Sequence, residues 1–163
     1  MPRPATAVVR IALRLIAEAM KVLVVNGPNL NLLGVREPAI YGSRTYADLV
    51  SFIKAESAAL GLEAEVRQSN CEGEMVTWIQ ETRGVFDALI LNAAAYTHTS
   101  VAILDAIKAV GIRTIEVHLS DPMAREDFRH LSYVSMAAEA TFKGRGFDSY
   151  ADALRHLAGK GSV

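Results

Sequence analysis

The chain has 163 residues, 51% of them apolar, which suits one domain with a sizeable core. Its 17 basic residues offset 18 acidic ones for a formal net charge of −1, so there is no broad basic surface for a nucleic acid and no acidic tail. A single cysteine, Cys71, excludes an internal disulfide framework and a cysteine-rich zinc site, and suits a reducing cytoplasm.

Residues 1–19, MPRPATAVVRIALRLIAEA, carry Arg3, Arg10 and Arg14 ahead of the first acid, Glu18, and read as a short amphipathic helix. Arg10 and Arg14 interrupt the apolar stretches, so neither a membrane span nor a clean signal-peptide core is supported. A basic amphipathic leader also suits a transit peptide, although it lacks the serines typical of one. The plainest reading is an upstream start codon or a dispensable extension ahead of Met20, which leaves a single domain over residues 20–163.

From Met20 the pattern alternates between strand and helix. Lys21–Val25 is a short continuous apolar run, as in a strand buried on both faces of a parallel sheet. A polar loop from Asn26 to Gly42 comes next. A helix is expected over Tyr46–Leu60, with Thr45 as N-cap and Gly61 past its end. Leu62–Arg67 alternates as a second strand, and Glu72–Arg83 forms a second helix closed by Gly84. Phe86–Leu91 is the third strand, Ser100–Val110 the third helix and Thr114–Leu119 the fourth strand. A loop containing Pro122, a helical piece at Arg125–His130, a fifth strand around Tyr133–Ala140 and a last helix at Ser149–Ala158 complete the chain. Strands separated by single helices make right-handed βαβ units, hence an α/β fold with a parallel sheet and helices on both faces.

Ligands bind such sheets beyond the carboxyl ends of the strands, so the residues just past each strand are informative. The first strand empties into Asn26–Tyr41 and the second into Gln68-Ser69-Asn70. The third runs into Asn92-Ala-Ala-Ala-Tyr96-Thr97-His98-Thr99-Ser100. The fourth carries His118 at its own end, with Ser120-Asp121-Pro122 and Arg125 beyond it. Four polar clusters thus converge on one edge of the sheet. No GxGxxG or GxxxxGK[ST] succeeds the first strand, and a proline stands where a phosphate-cradling glycine is wanted, which argues against a nucleotide or flavin module.

These motifs resemble type II 3-dehydroquinate dehydratase. The matching runs are NGPNLNLLGVREPAIYG, then NAAAYTHTS with Asp105 beyond, then EVHLS and after it AREDFR, and the likeness extends from Met20 to about Ser135. The resemblance implies a flavodoxin-like three-layer sandwich. It also implies dehydration of 3-dehydroquinate to 3-dehydroshikimate without metal, cofactor or Schiff base, and a homo-oligomer, typically a dodecamer built from trimers. No nucleic-acid or membrane partner is implied.

The reaction must remove a proton alpha to a ketone, hold an enolate and expel a hydroxyl. Keeping a tyrosine ionised near neutral pH takes about 4 kcal/mol of differential stabilisation, and Arg36, five residues before Tyr41, is a permanent cation able to supply it. Taken alone, Tyr41 could equally pack at the loop's end while Arg36 pairs with Glu37 in solvent. The resemblance makes these two positions the base and its activating arginine. His118 suits the acid because histidine changes charge near neutrality, and Glu116, two residues earlier on the same strand face, suits its orienting carboxylate; a lone strand-end histidine is otherwise more often structural. By the resemblance, Asn29 helps hold the water or enolate oxygen. Asn92, His98, Leu119, Ser120 and Arg129 form the substrate pocket, Arg125 lies near a mobile lid, and Asp105 reaches a neighbouring subunit's site.

Three features depart from the family pattern. Asp121 and Met123 stand where Asn and His are usual, and Asp121 brings a negative charge toward a carboxylate pocket. Cys71 stands where histidine is frequent and is expected to be buried as a small hydrophobe. The tail TFKGRGFDSYADALRHL is less apolar than the family's usual ending, which bears on how the last element packs. An altered-substrate or non-catalytic paralogue that binds a related cyclic polyol acid is the alternative that the altered Asp121 region suggests.

Overall fold

The computed structural model describes residues 18–35, Ala39 and 43–161. The N-terminal extension up to residue 17, Arg36, Tyr41 and the loop around them lie outside the described residues. Five strands form one parallel sheet in the order β2-β1-β3-β4-β5: β1 Lys21–Asn26, β2 Glu63–Gln68, β3 Ala88–Asn92, β4 Arg113–Val117 and β5 Ala140–Phe142. Among the described residues, four α-helices cover it: α1 Tyr46–Ala59, α2 Glu72–Glu81, α3 Val101–Val110 and α4 Asp148–Leu157.

Strand alternation sorts the core into two layers, because successive side chains point to opposite faces. Val22, Val24, Ala88, Ile90, Ile115 and Val117 face α1 and α4, meeting Leu49, Ile53, Tyr150 and Leu154. Leu23, Val25, Leu89 and Leu91 face the other way, meeting Met75 and Ile79 of α2 and Ile103 and Ile107 of α3. The central strands read as unbroken apolar runs because both faces are covered. β2 lies at an edge, and its alternation leaves Glu63 and Glu65 exposed.

Local chemistry fixes the helix ends. Thr45 and Asp48 form a reciprocal capping box on α1, and the Ser100 hydroxyl accepts from the Ile103 N–H at the start of α3. The tail packs as a helix whose Tyr150, Ala153, Leu154 and Leu157 enter the first core layer, so its polar look belongs to its outer face.

Three expectations are corrected. The fifth strand is not at Tyr133–Ala140 but at Ala140–Phe142, beside Ile115–Val117. The Ser132 hydroxyl accepts from the Ser135 N–H, and Val134–Met136 curls into a 3-10 turn whose Val134 is buried against the α2–α3 layer. The helical piece expected at Arg125–His130 is only a 3-10 turn over Asp127–Arg129, and a separate one over Pro122–Ala124 precedes it. Cys71 is exposed, standing at the N-cap of α2 with its N–H donating to the Ser69 hydroxyl.

Candidate active site

The strand order reverses between β1 and β3, whose carboxyl ends therefore diverge and leave a crevice. There the backbones nearly touch: the Gly27 N–H donates to the Asn92 carbonyl at 2.8 Å, and a Cβ on Gly27 would lie 2.5 Å from the Ala93 carbonyl oxygen. Only glycine fits this contact. Two residues on, Asn29 adopts a left-handed conformation (φ 68°), which asparagine tolerates better than most residues, and its N–H donates to Asn70 Oδ1 at 2.9 Å.

The cavity above this crevice gathers Asn29, Asn92, His98, His118, Leu119, Ser120, Arg125 and Arg129. Pro28, Leu30, Leu33 and Pro122 complete much of its wall. Of the expected site residues that the structure describes, two do not line it. Glu116 stands behind His118, and Asp105 is exposed on α3, away from the cavity. The cluster after β2 does not line it either. Gln68 instead donates to Gly27 O, Asn31 Oδ1 and Asn70 Oδ1, bracing the Asn29 turn from outside.

Glu116 and His118 form the site's tightest unit. Glu116 is 1% exposed and accepts three hydrogen bonds: Oε1 from His118 Nε2 at 2.7 Å and from Ser132 Oγ at 2.6 Å, Oε2 from Thr141 Oγ1 at 2.9 Å. Burial alone would push its carboxyl up, but the bond and charge of His118 and the two hydroxyl bonds outweigh that and hold it below the usual glutamate range. An ionised, acceptor-only carboxylate dictates that Nε2 carries a proton and leaves Nδ1 as the nitrogen free of Glu116. β4 itself ends at Val117, yet the His118 N–H still donates to Phe142 O at 3.0 Å, so the imidazole sits on a backbone held by the last ladder bond.

The other polar groups are oriented in the same manner. His98 Nδ1 donates to the Leu131 carbonyl at 2.7 Å, which directs the choice of tautomer and leaves Nε2 as the free ring nitrogen. Arg129 pairs with Glu126 at 2.8 Å and Arg125 approaches the same carboxylate at 3.7 Å, so one exposed acid stands between two cavity arginines. Asp121, the departure expected to bring negative charge to the pocket, pairs instead with Lys143 at 3.0 Å and accepts from the Met123 N–H at 3.0 Å. It is absent from the cavity wall.

A histidine–carboxylate pair and two arginines at the mouth of a doubly wound sheet make an α/β fold with a candidate site suited to acid–base chemistry on an anionic small molecule. The sequence model described as Dehydroquinase class II matches residues 20–158, and the chain belongs to that family. It is 53% identical over 138 residues to the 3-dehydroquinate dehydratase of Phenylobacterium zucineum, covering 85% of this chain and 95% of that one. The enzyme of the same name from Corynebacterium glutamicum is 50% identical over 138 residues, with the same coverage. Among solved structures, a type II dehydroquinase from Butyrivibrio crossotus superimposes with a TM-score of 0.84 at 42% identity, covering 86% of this chain and 99% of that chain. The fold is therefore flavodoxin-like, as the motifs implied.

Three supporting residues, Thr141, Ser132 and Tyr150, are not marked by any pattern in the sequence. Thr141 lies directly beside Glu116 in the β4–β5 register, a signal hidden by the misplaced fifth strand. Ser132 lies in the irregular segment before it, where no periodicity marks a side chain. Asn26 and Tyr150 meet beneath the crevice although 124 residues separate them, a contact that only the packing of α4 creates.

Proposed function

We propose that the protein dehydrates 3-dehydroquinate to 3-dehydroshikimate through an enolate. The observation that carries this reading is the buried Glu116 carboxylate bonded at 2.7 Å to a cavity-lining histidine, the arrangement a proton donor to a leaving hydroxyl requires. Tyr41, as phenolate, takes the proton alpha to the ketone, and the resulting charge passes to the carbonyl oxygen. Arg36 favours the phenolate, and Asn29 holds the water or enolate oxygen. As the enolate collapses, the carbon–oxygen bond breaks and His118, as an imidazolium, gives its Nδ1 proton to the departing hydroxyl, releasing water and leaving a conjugated enone.

Asn92, His98, Arg129 and the Leu119–Ser120 segment bind the hydroxyls and carboxylate of the substrate. Arg125 joins them as the loop from Leu32 to Tyr41 closes. Support for such a closing loop comes from its neck, where a Cβ on Gly34 would stand 3.0 Å from the Ser43 carbonyl oxygen. Asp105, exposed on α3, serves a neighbouring subunit's site within a dodecamer. The reaction takes place in the cytoplasm, in aromatic biosynthesis or quinate breakdown. No described helix is long and apolar enough to cross a membrane, and the described residues hold no cluster of three or more potential metal ligands.

The ultraviolet absorbance of the enone tests this directly. Purified protein with 3-dehydroquinate should raise the signal, unaffected by borohydride or chelators, and a flat trace would reject the reaction. Tyr41→Phe should bind substrate by calorimetry without turnover, and Arg36→Ala should lower kcat far more than it raises KM. Retained turnover in the first, or unchanged kcat in the second, removes that residue from its role. The altered-substrate alternative loses its motive at Asp121, whose charge Lys143 meets outside the cavity.

A further inference from the structure

Beneath the cavity floor, three polar side chains from three distant parts of the chain close on one another out of contact with water. Tyr150 of α4 and Asn26 of β1 are wholly buried, and Asn92 of β3 is 3% exposed. The Tyr150 hydroxyl donates to Asn26 Oδ1 at 2.6 Å and accepts from Asn92 Nδ2 at 2.8 Å. Asn92 Oδ1 in turn accepts from the Ala94 N–H at 3.2 Å, an Asx turn that helps hold Ala94 at a positive φ of 51°. Both ends of the Asn92 carboxamide are thereby assigned, and the second N–H of Nδ2 is the donor left for the cavity that Asn92 lines.

We infer that Tyr150 is a positioning residue, which fixes the Asn92 carboxamide so that it offers the substrate its second N–H as a donor. A carboxamide can turn over and exchange its oxygen for its nitrogen at little cost in shape. Here a turnover would face the Ala94 N–H with an NH2 group and place the amide oxygen against the Tyr150 hydroxyl, whose proton is already committed to Asn26. Burial raises the hydroxyl's pKa far above the ordinary tyrosine value, so it keeps that proton at any working pH. The Ala94 N–H sets part of this preference and the hydroxyl the rest, which is lost when the hydroxyl is removed. Because Asn26 and Asn92 end the adjacent strands β1 and β3, the same hydroxyl also ties together the two lips of the crevice. A donor fixed at this point complements an oxygen bearing negative charge, either the developing enolate or the carboxylate, and repels nothing that the proposed substrate presents there.

This inference rests on the reaction proposed above, and two measurements keep the two apart. Tyr150→Phe removes only the hydroxyl and keeps the ring in the core. It should lower kcat/KM by about tenfold, the loss expected when one buried hydrogen-bond partner is removed. In an Asn92→Ala background the same substitution should change kcat/KM less than twofold, because the group it positions is gone. Equal losses in both backgrounds would mean that Tyr150 serves the fold alone, and wild-type kcat/KM in the single variant would also overturn the inference. The second measurement needs no substrate: a crystal structure of Tyr150→Phe should show the Asn92 carboxamide rotated or divided between rotamers. An Asn92 side chain left in place, with its Ala94 bond intact, overturns the positioning role even if the protein proves to catalyse another reaction.

Discussion

Two carboxylates hold the charged groups of the cavity, Glu116 from inside the sheet and Glu126 from solvent. Glu116 accepts from three partners at 2.6–2.9 Å in a space closed to water, and its histidine is set in one orientation. Glu126 has a half-exposed side chain and spans Arg129 at 2.8 Å and Arg125 at 3.7 Å on a segment of 3-10 turns. A buried, fully satisfied carboxylate specifies geometry, because any other arrangement strands a charge away from water. An exposed one gains little and is screened by salt, so its arginines can leave it for another anion at small cost. On the function proposed above, the chemistry is rigidly built, whereas substrate capture is left exchangeable.

The sharpest break in that contrast is at the buried pair. His118→Ala should cut kcat by about 10²–10⁴-fold, the usual weight of a general acid, with a smaller change in KM. Glu116→Gln should also lower kcat and, in addition, alter the acid limb of stability. The Glu116 carboxyl is held below its unfolded value of about 4.3, so its contribution is complete above that pH and disappears as pH falls through the folded value. Asp48, Asp121, Glu126 and Glu139 are depressed as well, but they persist in the variant, so the difference between the two Tm–pH curves reports Glu116. Parallel curves from pH 6 to pH 3 would show that Glu116 holds no special charge.

Next in size is Gly27→Ala. A methyl 2.5 Å from the Ala93 carbonyl oxygen must push β1 and β3 apart where they meet at 2.8 Å, an overpacking cost of about 1–3 kcal/mol. Thermal unfolding should register this, and kcat should fall with it because Asn29 and Asn92 are carried on the displaced loops. A stable variant with full turnover would mean that the crevice tolerates a wider spacing.

How legible each region is in sequence obeys the same division. The expected polar-cluster residues past β3 and β4 that line the cavity, Asn92, His98, His118, Ser120 and Arg125, come together because strand alternation and parallel order put them there. Glu116 is placed by the period of two, which survives burial. Ser132, Thr141 and Tyr150 are hidden because their roles depend on register across strands and on helix docking, which no local pattern encodes. The fifth strand is misplaced by periodicity since Ser132 diverts the chain into a turn before it joins the sheet. Asp121 looks like a misplaced charge in sequence because its partner, Lys143, lies 22 residues ahead on the far side of β5.

On the solvent side the effects should be smaller and salt-dependent. Glu126→Gln removes the carboxylate that occupies Arg129, so KM for an anionic substrate should fall about twofold at low ionic strength and return to the wild-type value at high salt. Steady-state kinetics at two salt concentrations decides it. A rise in KM would reverse the assignment, making Glu126 the group that positions the arginines.

The smallest effect is expected at Asp121→Asn. The carboxyl is held low first by the Met123 N–H and then by Lys143, and asparagine keeps the first interaction because its amide oxygen also accepts. The loss is confined to an exposed ion pair, so Tm should move by no more than about 2 °C. Lys143 keeps its charge, and removal of a nearby negative charge can only favour an anion in the cavity, so kcat/KM should hold or rise slightly. Asp121→Ala separates the two contributions, since it also removes the acceptor for Met123 at the start of the 3-10 turn that leads to Arg125. If Ala lowers kcat/KM while Asn does not, the residue matters as a cap on the arginine segment. If both lower it equally, the negative charge itself is required, and the exposed side of the cavity is more exactingly built than its geometry shows.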